Sequence, residues 1–334
     1  MPRNILGLAA LAAFLSLPAS AQTYVTFSVP FADGTVATGI NDDGVVAGFF
    51  AVGGAGLGSF VRTTDGTLTT FGPTGSRSSR STGIDKHGTI VGTWQDENFA
   101  QHGFIRSNDG TITKFDPPNS IITFVSAVHG ETVGDFSDAA NRDHAPAFRR
   151  TRAGRFEIFH CGDARYTSAT AVNGRGAIAG SWSRRTVHNY TPEHGFVRGA
   201  DGTCVTFDAP GAVQTIVTGI NNDGTITGYF HVPREHGTKH GFVRAADGTI
   251  ATFDVSGAKA TEPTAINAAG TIVGTYGNNP DVPHAFVRTA DGTVTPYDAP
   301  DSESTTAFAI NDSGVIVGSY LSKSGDSPAY IRSP

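Results

Sequence analysis

The sequence predicts an all-β protein: a seven-bladed β-propeller with four-stranded blades, the last blade closed by the N-terminal strand. Three observations predict it. The text repeats seven times, each copy holds four short strand-like phrases, and the phrase missing from the last copy stands at the other end of the chain.

The repeat is anchored on the apolar residue before each Asn-like turn. The anchors are Ile40, Ile84, Val128, Val172, Ile220, Ile266 and Ile310, at intervals of 44, 44, 44, 48, 46 and 44 residues. Four strands in that length match a propeller blade. In the clearest copy the phrases are Val217–Ile220, Thr225–Phe230, His240–Arg244 and Thr249–Phe253, here named strands a to d. Apolar and β-branched residues alternate along them, and Asn222-Asp223-Gly224 and Asp247-Gly248 supply turns where positive φ is cheap. Helical spacing is absent beyond residue 21. Gly39, Gly83, Ala127, Ala171, Gly219, Ala265 and Ala309 precede the anchors. They are expected on inner strands, where blades converge and a larger side chain would crowd. The third copy departs most: its first turn shortens to His129-Gly130-Glu131, and Ala153-Gly154 replaces Asp-Gly.

The seventh copy has Phe308–Asn311, Val315–Tyr320 and Ala329–Arg332, and then the text ends at Pro334. Thr26-Phe27-Ser28-Val29-Pro30 matches Thr206-Phe207-Asp208-Ala209-Pro210, the end of a fourth strand. Residues 23–30 are therefore expected to complete the last blade and remove its exposed edge. An open solenoid would instead need distinct capping repeats.

Residues 1–21 read as a secretory signal peptide. Arg3 precedes an apolar run from Ile5 to Leu17, and Ala19-Ser20-Ala21 is a small-x-small cleavage site. The run is short for a membrane span, and no later one approaches that length. Residues 22–334 are expected to form one secreted or periplasmic domain, monomeric and without a membrane span. The net charge is −6 with no basic stripe, which argues against a nucleic-acid partner. No motif calls for a cofactor or a metal. Cys161 and Cys204 lie in neighbouring copies, and an oxidising compartment permits a disulfide between them; two buried thiols are the alternative.

His284-Ala285-Phe286, with the variants at His102, His194 and His240, resembles the HAF repeat of bacterial extracellular proteins. The resemblance covers nearly all of residues 22–334. It implies an exported repeat protein and a propeller, and carries no residue roles. Gly58, Pro146 and Pro328 stand at the His position in the other copies.

Three recurring features read as scaffold. The His residues share a strand face with the following Phe, which suits hydrogen bonding and packing between sheets. Arg62, Arg106, Arg150, Arg198, Arg244, Arg288 and Arg332 recur two residues after the third-strand aromatic, six of them near a c–d turn that usually bears an Asp, where a guanidinium can tie carboxylates or carbonyls. The Asn-x-Asp-Gly text at 41–44 and 221–224 lacks the remaining oxygen ligands of a calcium loop and reads as a tight turn.

The a–b and c–d connections are short and regular, whereas the b–c connections vary, so one face of the ring carries the chemical diversity. Strand b ends on an aromatic in every copy: Phe50, Trp94, Phe136, Trp182, Phe230, Tyr276 and Tyr320. These rings either pack between blades or stack on a ligand, with Trp94 and Trp182 the first choices for stacking. Around them stand Asp96, Asp135, Arg184 and Arg234 as candidate ligand-binding groups, and Asp138 as a further acid. His188, Tyr190, Glu193, His231 and His236 are candidate catalytic groups: a His or Tyr as general base, Glu193 as acid, Arg184 or Arg234 to neutralise a substrate carboxylate. Asp96, Asp135 and Asp138 could instead supply a glycosidase pair. Three functions follow: a scaffold that binds a glycan or other polar extracytoplasmic ligand, a polysaccharide hydrolase or lyase on the same face, or a structural envelope protein.

Overall fold

The computed structural model describes residues 22–54, 56–139, 144–184, 192–233 and 237–334. The expected signal peptide at 1–21 lies outside them. The protein is a seven-bladed β-propeller of four-stranded antiparallel sheets, and the described residues contain no helix. The fifth blade runs Gln214–Ile220, Ile226–His231, His240–Arg244 and Ile250–Phe253. The third, despite its irregular text, is a full blade: Ser120–Val128, Thr132–Asp138, Ala147–Arg150 and Phe156–Phe159. The seventh combines Ser302–Ile310, Ile316–Ser322 and Ala329–Ser333 with Thr23–Phe27 from the N-terminal end. Its register runs from Thr23 opposite Ser333 to Phe27 opposite Ala329.

One local device recurs in every blade. Strand b carries a glycine: Gly48, Gly92, Gly134, Gly180, Gly228, Gly274 and Gly318. A Cβ at Gly228 would stand 1.9 Å from the Ile216 carbonyl oxygen and 2.9 Å from the Phe242 ring. The cause is a β-bulge in strand a, where Thr218 is the extra residue between Val217 and Gly219. The strand-c aromatic lies over the glycine, fully buried in each blade: Phe60, Phe104, Phe148, Phe196, Phe242, Phe286 and Tyr330.

Those rings join the blades. The six Phe rings each meet the strand-d ring of the preceding blade edge-on, as Phe27 meets Phe60 at 5.9 Å and Phe207 meets Phe242 at 6.1 Å. At the last junction the hydroxyls of Tyr297 and Tyr330 bond at 2.9 Å. The recurring Arg then caps the same strand-d ring: Arg62 lies over Phe27, Arg244 over Phe207 and Arg332 over Tyr297, at 4.5–5.1 Å. The Arg ring is thus scaffold, but chiefly by stacking across blades. Its link to the turn is a hydrogen bond to a carbonyl, as from Arg244 to Ala245, 3.3 Å.

Nearer the axis the turn asparagines form a ladder. Asn173 Nδ2 donates to the Asn221 carbonyl, Asn221 to Asn267, Asn267 to Asn311 and Asn311 to Asn41, at 2.9–3.2 Å. Their side-chain oxygens meanwhile accept backbone amides of their own turns, as Asn221 Oδ1 does from Thr225 at 3.0 Å. The Asn-x-Asp-Gly text is therefore a tight turn whose amide also stitches blades. Gly39 and Gly219 are crowded by the next blade's Ile84 and Ile266, as expected, but a Cβ at Gly83 would meet nothing within 4 Å. Cys161 and Cys204 are bridged, joining the link after blade three to strand d of blade four. Closing a loop of that length contributes about 4 kcal/mol.

Two substitutions and a deletion test this account by chemical unfolding. Gly228→Ala is expected to cost about 3 kcal/mol or more, because backbone blocks the methyl. Gly83→Ala, facing open space, should stay within about 1 kcal/mol of the parent. Deleting residues 22–30 strips Phe27 from Phe60 and Arg62 and should cost at least about 4 kcal/mol. A deletion variant as stable as the parent would refute the shared last blade.

Candidate functional site

The repeated His residues form part of the frame. His102, His194, His240 and His284 donate through Nδ1 to Asp116, Asp208, Asp254 and Asp298, at 2.7–3.0 Å. Each pair joins strand c to the end of strand d within one blade. The three copies without the His have Gly72, His160 and Ser28 at the Asp position. Each imidazole also stacks on the strand-b aromatic, 4.7 Å from Trp94, 4.8 Å from Trp182, 5.2 Å from Phe230 and 5.5 Å from Tyr276. The Asp was missed in the sequence, although a constant spacing of 14 residues marks it.

This corrects the expectation for the two tryptophans. Trp94 and Trp182 are each only 8 % exposed. Trp94 lies against His102 with Lys114 Nζ 4.5 Å from its ring centre, and Trp182 lies against His194 and Gly162. Their ring faces serve packing and are not open platforms for a ligand.

The groups expected around them fare differently. Asp96 Oδ1 holds its own loop, accepting the Asn98 and Ala100 amides at 2.8 and 2.9 Å. Arg184 pairs with Asp163 at 2.7 Å on the surface. His188, Tyr190, Arg234 and His236 lie outside the described residues.

The informative position is one residue before the strand-b aromatic. It holds Phe49, Thr93, Asp135, Ser181, Tyr229, Thr275 and Ser319. At four of them the side chain meets strand a of the next blade: Phe49 beneath Arg80 at 4.6 Å, Thr93 accepting the Val125 amide, Asp135 accepting the Ser168 hydroxyl at 2.8 Å, and Ser181 accepting the Val217 amide. The glycine frame leaves this position free to vary, so chemistry collects there.

Two sectors stand out. Between blades two and three an open recess of about 490 Å³ is lined by Leu57, Arg80, Thr93, Gln101 and Phe124, with Trp94 contributing to its wall. Phe124 is 42 % exposed there. Around blades four to six, Glu193, Tyr229, His231, Lys239 and Glu262 gather. Lys239 Nζ bonds Glu262 at 2.7 Å and lies 5.2 Å from the Tyr229 ring centre; His231 meets that ring at 6.0 Å. Burial, then the charges of Glu262 and Glu193, push the Tyr229 hydroxyl up to about 12. It therefore stays protonated, suited to offer a hydrogen bond and not to act as a base. Burial pushes the Glu193 carboxyl above its usual range, against a hydrogen bond from Gln214. Burial and then Lys239 lower His231, which favours the neutral ring. The structure thus joins Glu193 and His231, two of the expected groups, to Tyr229, Lys239 and Glu262, which the sequence reading missed. Among the described residues, no group of three or more His, Cys, Asp or Glu is arranged to hold a metal.

No family model matches the chain, and no curated protein matches it. By fold it is similar to the β-propeller domain of the Trilobed protease from Pyrococcus furiosus, with a TM-score of 0.64 and 8 % identity over 90 % of this chain and 94 % of that one. It is similar to a prolyl endopeptidase structure at 0.63 and 11 %, over 90 % of this chain and 48 % of that one. It also resembles the BP39L lectin from Burkholderia pseudomallei at 0.51 and 10 %, over 89 % and 98 %. At these identities the likeness is one of fold.

Asp135 makes a test of the inner position. Part of its surface meets solvent, yet protein crowds its carboxyl, and burial raises it from 3.8 to about 6 against the bond from Ser168. Between those values the folded chain keeps a proton that the unfolded chain releases. Stability therefore falls as pH rises through that window. Asp135→Asn should raise stability at pH 7 by up to about 3 kcal/mol and change little below pH ~4. Urea unfolding at both pH values checks this; an equal change at both would rule out the charge as its cause.

Proposed function

We propose that this chain is an exported propeller, of the kind the HAF-repeat resemblance implies, that binds a glycan through its variable face. The observation that carries the reading is the recess between blades two and three. An exposed Phe124 ring stands there among the guanidinium of Arg80, the amides of Gln95 and Gln101, and the hydroxyls of Ser78 and Thr93. An apolar face rimmed by planar donors suits a sugar ring, which offers C–H faces and equatorial hydroxyls. The acidic group around Tyr229, in other blades of the same ring, adds a donor that stays protonated and two carboxyls. A lectin with this fold supports a propeller as a carbohydrate-binding scaffold.

A second reading is hydrolysis of a bound polysaccharide. It is favoured by two carboxyls whose charges both act on Tyr229: Glu193, held toward its protonated form, and Glu262, paired with Lys239. Such a pair can divide acid and base roles.

Glycan-array binding followed by calorimetry tests the first reading. Phe124→Ala and Arg80→Ala should each weaken binding about tenfold with folding intact. Unchanged affinity in both variants would exclude the recess. Product released from the bound glycan, and lost in Glu193→Gln, would move the assignment to the second reading.

A further inference from the structure

The opposite rim is built from repeated tight turns, and in one sector its repetition breaks. The third blade's a–b turn, His129-Gly130-Glu131, is two residues shorter than Asp85–Thr89 in the second blade. The chain there is closed by the His129 amide bonding the Glu131 carbonyl at 3.0 Å. The shortening leaves a notch of about 450 Å³ between the longer turns of blades two and four.

The chemistry of the notch departs from the other copies in one direction. Elsewhere the c–d turns carry Asp65, Asp109, Asp201, Asp247 and Asp291; the third blade has Arg152-Ala153 instead. Strand c places Arg149 where the other copies have Val61, Ile105, Val197, Val243, Val287 and Ile331. Lys86 and Arg175 enter from the flanking turns. Four permanent cations thus line the notch against one carboxylate, on a chain whose net charge is −6.

These cations have different tasks. Arg149 Nε and Nη2 grip Glu131 at 2.6 and 2.7 Å and its Nη1 reaches Glu157 at 3.5 Å, so its charge is already compensated and its position fixed. Arg175 meets Asp223 at 3.2 Å, a largely exposed pair of little worth. Lys86 and Arg152 are exposed and form no ion pair among the described residues. His87 and His129 stand beside them.

We propose that this notch is a second binding site that takes an oxyanion, with Lys86 and Arg152 as its direct contacts and the Arg149–Glu131 pair as its positioning floor. A guanidinium and an ammonium lining one concave surface suit the oxygens of a sulfate, phosphate or carboxylate group. The site is independent of the glycan recess, which occupies the other face.

Calorimetric titration of the chain with inorganic sulfate, inorganic phosphate, a uronic-acid tetrasaccharide and a neutral tetrasaccharide tests it. At least one anion should bind, more weakly as salt rises. The Lys86→Ala/Arg152→Ala variant should bind that anion about tenfold more weakly at an unchanged melting temperature. Phe124→Ala should leave this binding intact. Binding of the uronate but neither inorganic anion would identify a polymer-borne group as the source. No anion binding by the parent chain, or equal affinity in the double variant, would overturn the proposal.

Discussion

A four-stranded blade has two faces to cover and no layer of its own to cover them. Each blade solves this by laying its strand-c ring over a strand-b glycine and against the strand-d ring of its predecessor, as Phe242 does over Gly228 and against Phe207. The ring fits because the glycine has no side chain and the bulge at Thr218 brings the Ile216 carbonyl close. The arginine above then covers the strand-d ring. No blade is complete without the one before it, so the only arrangement without an uncovered face is a closed circle. The N-terminal strand follows from that need: Phe27 is to Phe60 and Arg62 what Phe207 is to Phe242 and Arg244.

Function has room only where this constraint is silent. It dictates the glycine, the ring and the arginine, but leaves the residue after the glycine and the b–c loop. That freedom puts Asp135 against Ser168, and Tyr229 among Glu193, Lys239 and Glu262. It also tolerates one shortened turn on the regular rim, because the glycine frame of blade three is intact at Gly134 and Phe148. Repetition holds the architecture, and departures from it concentrate the polar chemistry.

Much of the frame was legible from text alone. The seven anchors, the small residues beside them and the displaced last strand are all periodic, and periodicity survives in one dimension. The His–Asp pairs are equally legible at their constant spacing of 14 residues, although the hairpin that brings the two together has to be folded before the spacing reads as a contact. The tryptophans show the limit of composition. Their position at a loop boundary suggested exposure, but the imidazole directly opposite on the next strand, eight residues on for Trp94 and twelve for Trp182, packs against them.

The sequence by itself determined the blade count, the strands within each blade and the exchange that closes the ring, because these rest on local alternation and on repeated spacing. Only the tertiary structure decided which side chains meet across blades. Asp135 and Ser168 stand in different copies, as do Tyr229 and the Glu262 whose charge acts on it. Their meeting depends on the rotation from one blade to the next, set by the bulge, the glycine and the stacked rings together. That rotation is a property of packed surfaces, and spacing along the chain does not encode it.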